Sequence, residues 1–112
     1  MLAQIRTYTI NRGEMDNFLK EFQAVVIPMH EKVGIPIIAS WVDRGQNEFI
    51  WVRQFEDQAD REQKLAAFRD SPEMADIRSR VAVKIAKMEV HDVEGAFVPS
   101  PAREIPFTEG LP

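Results

Sequence analysis

The chain has no cysteine, which removes disulfide staples, thiolate catalysis and cysteine-ligated metal from consideration. It also has no apolar run near the roughly 20 residues that a membrane-spanning helix requires. The opening MLAQIRTYTI lacks the basic-then-apolar layout of a secretory leader. Fourteen basic residues are scattered among 18 acidic ones, giving a formal charge of −4. A protein that tracks phosphates concentrates its Lys and Arg in a stripe, so a nucleic-acid partner is disfavoured. There is no P-loop, Gly-rich phosphate loop or Ser/His/Asp arrangement, and no cofactor is expected. The two histidines, His30 and His91, have no His-x-x-x-His or Glu-x-x-His spacing, so no metal site is expected either. These exclusions leave a cytoplasmic domain that engages neither membrane nor nucleic acid.

What is present is organised around Ile35–Phe55, IPIIASWVDRGQNEFIWVRQF, two apolar-aromatic strands joined by an Asp-Arg-Gly-Gln-Asn turn. Both tryptophans, Trp41 and Trp51, lie in it. Leu2–Ile10 alternates as a first strand, with Gln4, Arg6, Tyr8 and Ile10 on one side. A helix follows from about Glu14, its stripe formed by Met15, Phe18, Leu19, Phe22, Val26 and Met29. Pro28 lies inside that pattern and removes a hydrogen bond to Ala24, predicting a kink or early end. Gly34 then stops the helix. Asp57–Asp70 reads as a second helix with Asp57 as N-cap, restarted at Ser71-Pro72. Ala86–Glu94 alternates as a fourth strand, at an edge.

The order β-α-β-β-α-β predicts a ferredoxin-like α+β domain with an antiparallel four-stranded sheet and helices on one face. With 112 residues, 45% hydrophobic and 29% charged, this is one domain burying roughly two-thirds of its surface. The boundaries are 1–94 for the domain and 95–112 for a proline-rich C-terminal arm. The arm holds four of the seven prolines, which rules out regular structure. Its Phe97, Val98, Ile105, Phe107 and Leu111 call for packing on the domain or on a partner subunit.

In Asn47–Phe55, Ile50 and Val52 point one way while Phe49, Trp51, Arg53 and Phe55 point the other. Both faces of the sheet are therefore apolar. A single helical layer covers only one, and a second copy of the sheet is the natural cover for the other. The expectation is a homodimer joined through the sheet face and the arm, a dimeric α/β barrel.

The segment QIRTYTINRGEMDNFLKEF, the Pro28–His30 segment, the strand ending SWVDRGQNEFIWVRQFED and the Asp60-Arg61 pair resemble the NIPSNAP family. Pro99 and Pro101 resemble the proline-bearing segment that closes its domains. The likeness extends over nearly the whole chain. It implies a dimeric α/β barrel, the superfamily that also holds cofactor-free monooxygenases and some haem enzymes. It implies no established catalytic residues.

Arg6 and Tyr8 share a face of the first strand, and Trp51 and Arg53 share a face of the third, its neighbour in this topology. If the faces coincide, two guanidiniums, a phenol and an indole converge in apolar surroundings. That suits an aromatic or carboxylate-bearing small molecule, with Arg pairing the anion and Trp stacking. The plainer alternative pairs the arginines with Glu48, Glu56 or Glu89 and lets the aromatics fill the core. Trp41 is a further candidate for the same cavity, with core packing as its plainer alternative. His30, just after Pro28, is a candidate general base or ligand donor, or else a boundary histidine bonding a free carbonyl. Three functions follow: a binding domain for a small apolar or aromatic molecule, a cofactor-independent monooxygenase acting on an aromatic substrate with His30 as base, or a protein-interaction module.

Overall fold

The computed structural model describes residues 1–97, so the expectation that the arm packs on the domain or a partner falls mostly outside the described residues. Four strands, β1 (Leu2–Ile10), β2 (Ile37–Asp43), β3 (Glu48–Phe55) and β4 (Ile85–Glu94), form one antiparallel sheet in the order β2-β3-β1-β4. The ferredoxin-like βαββαβ order is thus present, with β1 and β3 in the centre.

β1 alternates because its β-branched and aromatic residues fit a pleated surface. Gln4, Tyr8 and Ile10 are buried towards the helices, and so are Phe49, Trp51, Arg53 and Phe55 of β3. On the other face, the register aligns Ile5 with Val52 and His91, and Trp41 with Ile50. No described element covers that face. Trp41 is 54% exposed there.

The first helical layer comprises α1 (Met15–Glu21), a π-helical turn over Phe22–Val26, and α2 (Ile27–Val33). Met15, Phe18, Phe22, Val25, Val26 and Met29 are its buried stripe. Of the kink or early end expected at Pro28, the early end does not occur, and the helix departs from α geometry in the turn before it. Pro28 has no N–H, and the wider turn just before it, where the Ile27 amide reaches back to the Phe22 carbonyl, absorbs the mismatch without ending the helix. Gly34 does stop it, in the left-handed conformation at φ 79°, with the Ile35 amide bonding the His30 carbonyl at 2.9 Å.

Asp57 caps α3 (Gln58–Arg69) by accepting from the Asp60 amide at 2.8 Å. The restart expected at Ser71-Pro72 begins only at α4 (Met74–Asp76), after a turn in which the Met74 amide bonds the Ser71 carbonyl. A second π-helical turn, Ile77–Val81, and a short 3-10 turn lead into β4. Aromatic side chains lock the layers together: Phe22 packs edge-on against both Phe49 and Trp51, at 4.8 and 5.1 Å between ring centres. Among the described residues no helix is long and apolar enough to cross a membrane.

Candidate functional site

The site grows from strand register. β1 and β3 pair with Arg6 opposite Trp51 and Gln4 opposite Arg53. Directly opposed residues share a face, so Gln4, Arg6, Tyr8, Trp51 and Arg53 all point towards the helices. α2 brings His30 over the same patch, where its ring meets Trp51 at 5.2 Å and Phe68 of α3 at 4.9 Å.

His30 is buried, 1% exposed. Its Nδ1 lies 2.8 Å from the Val26 carbonyl oxygen, which only accepts, so Nδ1 carries the proton. Nε2 then holds the lone pair, and Nη1 of Arg53 donates to it at 3.1 Å. Burial, with smaller contributions from the Arg53 and Arg6 charges, lowers the imidazole to about 4, against a partly offsetting bond to Val26. His30 is therefore neutral at pH 7. The bond to a helix carbonyl fits the plainer expectation for this residue, although the ring is in the core rather than at a boundary.

Gln4 is the hub that ties the arginines together. Its Nε2 donates to Asp92 of β4 at 3.0 Å, which turns Oε1 towards the guanidiniums. That oxygen accepts from Arg53 Nε at 2.9 Å, Arg53 Nη2 at 2.7 Å and Arg6 Nη1 at 2.9 Å. Asp92 also pairs with Arg61 of α3 at 2.9 Å. Hydrogen bonds from Gln4 and then Arg61 hold its carboxyl below the usual range. Burial and the neighbouring Arg6 charge lower Arg53 to about 10, still charged at neutral pH. Neither arginine pairs with Glu48, Glu56 or Glu89 among the described interactions. Arg6 instead donates from Nε to the Tyr8 hydroxyl at 2.8 Å and from Nη2 to the Met88 sulfur at 3.0 Å. Both guanidiniums stand near the Trp51 ring, Arg6 at 5.8 Å and Arg53 at 5.4 Å from its centre.

Around this network is a cavity of about 190 Å³ whose wall includes Arg6, Tyr8, His30, Trp51 and Arg53. Five of the six residues expected to act together thus meet in one place. Trp41 does not join them. It pairs with Ile50, and the pleat turns both to the opposite face of the sheet. Phe22 and Val26 of the first π turn, and Ile77 and Val81 of the second, supply apolar wall. The Trp51 indole nitrogen is buried and has no hydrogen-bond partner among the described residues. His91 aligns with Ile5 on the other face, away from His30. No group of three or more His, Asp or Glu among the described residues is placed to hold a metal.

Gln4, Asp92, Phe68 and Met88 were not expected at the site, although the pattern of the second helix turns Phe68 inward. Gln4 had a readable signal, a polar side chain two residues before Arg6 on the strand face that the helices cover. The others depend on how β4 and α3 dock.

The fold and cavity define a ferredoxin-like α+β domain with a small, largely apolar chamber between sheet and helices. The NIPSNAP family model matches residues 3–92, and the chain belongs to that family. Among solved structures it is similar to an uncharacterised NIPSNAP domain protein from Burkholderia xenovorans. That match has 21% identity and a TM-score of 0.79, covering 89% of this chain and 100% of the other. A NIPSNAP family protein from Agrobacterium tumefaciens matches at 21% identity and TM-score 0.78, over 91% and 98% of the two chains. A protein from Nitrosomonas europaea, named as a candidate antibiotic biosynthesis monooxygenase, matches at 12% identity and TM-score 0.67, over 87% and 100%. At these identities the likeness shows the fold alone. No curated protein matches the chain.

Proposed function

We propose that this NIPSNAP domain binds one small apolar or aromatic molecule in the chamber between sheet and helices. The observation that carries the reading is the chamber itself. It has an apolar wall with a few convergent polar groups, one of them the buried Trp51 N–H that nothing in the described chain satisfies. Buried donors are ordinarily paired, and a wall of this composition is the usual form of a ligand pocket. A thermal-shift screen of small aromatic and aliphatic compounds tests it. A ligand at 100 times its dissociation constant adds about 2.7 kcal/mol, a readily measured rise in Tm. A flat response across the screen contradicts the reading.

The cofactor-independent monooxygenase reading draws on likeness to the Nitrosomonas europaea protein. It needs a base at the substrate, and His30 is poorly suited: Arg53 occupies its lone pair and its pKa is about 4. Binding without catalysis accounts for the same residues with fewer demands.

The domain acts, on this reading, as a homodimer. Among the described residues no helix lies over the face bearing Ile5, Trp41, Ile50 and Val52, and a second copy of the sheet would supply a self-complementary cover. The 95–112 arm would extend that interface.

A further inference from the structure

The hydrogen-bonding groups of the chamber are unequally spent. Among the described residues, the amide oxygen beside it and the imidazole lone pair within it are engaged. Gln4 Oε1 receives three bonds, two from Arg53 and one from Arg6. His30 Nε2 receives Arg53 Nη1. The chamber's donors are less fully engaged. The Tyr8 hydroxyl accepts from Arg6 Nε, and its own proton has no acceptor among the described residues. The Trp51 N–H is likewise unpartnered there. Arg6 Nη2 reaches only a thioether sulfur, a weak acceptor.

Charge is skewed in the same direction. No carboxylate among the described residues bonds either guanidinium directly. Asp92 is reached only through the Gln4 amide, and it is shared with Arg61. Two positive charges thus flank one indole ring.

We infer that the ligand is a small monocarboxylate whose anion is bound by Arg6 Nη2 and the Tyr8 hydroxyl once the Met88 thioether moves aside. The inference rests on reading the chamber as a ligand site. An ionised carboxylate only accepts hydrogen bonds, so it matches a site with spare donors and two guanidiniums that no carboxylate among the described residues bonds directly. An alcohol or primary amide carries no charge to complement the two guanidiniums, and a hydrogen bond to a charged partner is the stronger kind.

Arg6 is the anchor, and Arg53 is a positioning residue. Three of the five Arg53 N–H donors hold it to Gln4 and His30, one from each nitrogen, and the residue is buried. Arg6 is half-buried, and its weakest partner, Met88, is 45% exposed on edge strand β4. A flexible methionine there moves at little cost. One available guanidinium and an apolar wall favour a single negative charge over a dianion. Size points to the same class. A cavity of roughly 150 Å³ takes one benzene ring, so about 190 Å³ admits one ring or a short aliphatic chain with the carboxylate at Arg6.

The test uses the unaltered protein at pH 7 with two matched pairs, benzoate against benzyl alcohol and hexanoate against hexanol, followed by NMR titration into the millimolar range. The acids are expected to bind at least about 10-fold more tightly than the alcohols, consistent with a hydrogen bond to a charged group. Arg6→Gln is expected to remove that preference, weakening the acids about 10- to 100-fold and leaving the alcohols within twofold. Alcohols that bind as well as acids to the unaltered protein overturn this inference and leave the binding reading standing. An acid preference that survives Arg6→Gln overturns the assignment to Arg6. Absence of binding by all four removes the binding reading, and this inference with it. The isostere comparison needs no variant, so it decides the ligand class even if Arg6→Gln fails to fold.

Discussion

Nη1 of Arg53 lies 3.1 Å from Nε2 of His30, and the hydrogen bond runs from guanidinium to imidazole. With Nδ1 committed to Val26, the ring has one tautomer and no lone pair to spare. Protonating it would set an N–H against a guanidinium in a dry site. On the proposed reading, His30 serves as a prop for Arg53 rather than as a base.

The first prediction concerns its pH dependence. The folded pKa of about 4 lies below the ordinary 6.5, so the unfolded chain binds the His30 proton more readily. The stabilisation is complete above about pH 6.5 and is lost as pH falls towards 4. The total is about 3 kcal/mol. NMR titration of the imidazole should show Nδ1–H at neutral pH and a midpoint near 4. A midpoint near 6.5 would mean that the ring is not buried as the fold places it.

The second concerns Gln4. Replacing it with leucine removes the acceptor for two Arg53 nitrogens and leaves a buried charge poorly satisfied. The expected loss is about 3 kcal/mol in chemical denaturation. A loss below about 1 kcal/mol would show that water or another group takes over from Gln4.

The third addresses assembly. The unaltered chain should sediment as a dimer at micromolar concentration. Ile50→Glu should give a monomer, because a carboxylate would be buried unpaired between the two sheets. The Ile50 side chain points away from the chamber, so thermal shifts from its ligands should survive. A monomeric unaltered chain would contradict the dimer.

The fourth isolates backbone strain at Gly34. A methyl group there meets only Lys64 Cε at 3.8 Å, ordinary contact, so the cost comes from φ +79° alone. Gly34→Ala should destabilise by about 1 to 2 kcal/mol. A neutral result would mean that the helix end relaxes.

Strand order and the convergence of Arg6, Tyr8, Trp51 and Arg53 were legible because strand side chains alternate faces with period two. Once β1 and β3 are neighbours, their shared face follows. Trp41 was misplaced for want of register. β2 pairs with β3 through a bulge between Ile37 and Ala39, which no periodicity reveals, and pairing with Ile50 turns the indole to the open face. Pro28 marked a disturbance in the helix, but the π turn that carries the chain through it was hidden. A π turn is a compensation made in three dimensions, with no residue type of its own. Gln4 shows a different limit: its role comes from which side-chain amide atom faces Arg53, decided by Asp92 some 88 residues away.

The two tryptophans give the most direct test, because they lie on opposite faces of one sheet. In a ¹H–¹⁵N spectrum each contributes one indole resonance. Titration with a bound ring or short-chain acid should shift the Trp51 N–H, buried and without a partner among the described residues, and leave that of exposed Trp41 in place. A shift confined to Trp41, with Trp51 unmoved at saturation, would contradict a ligand in the chamber.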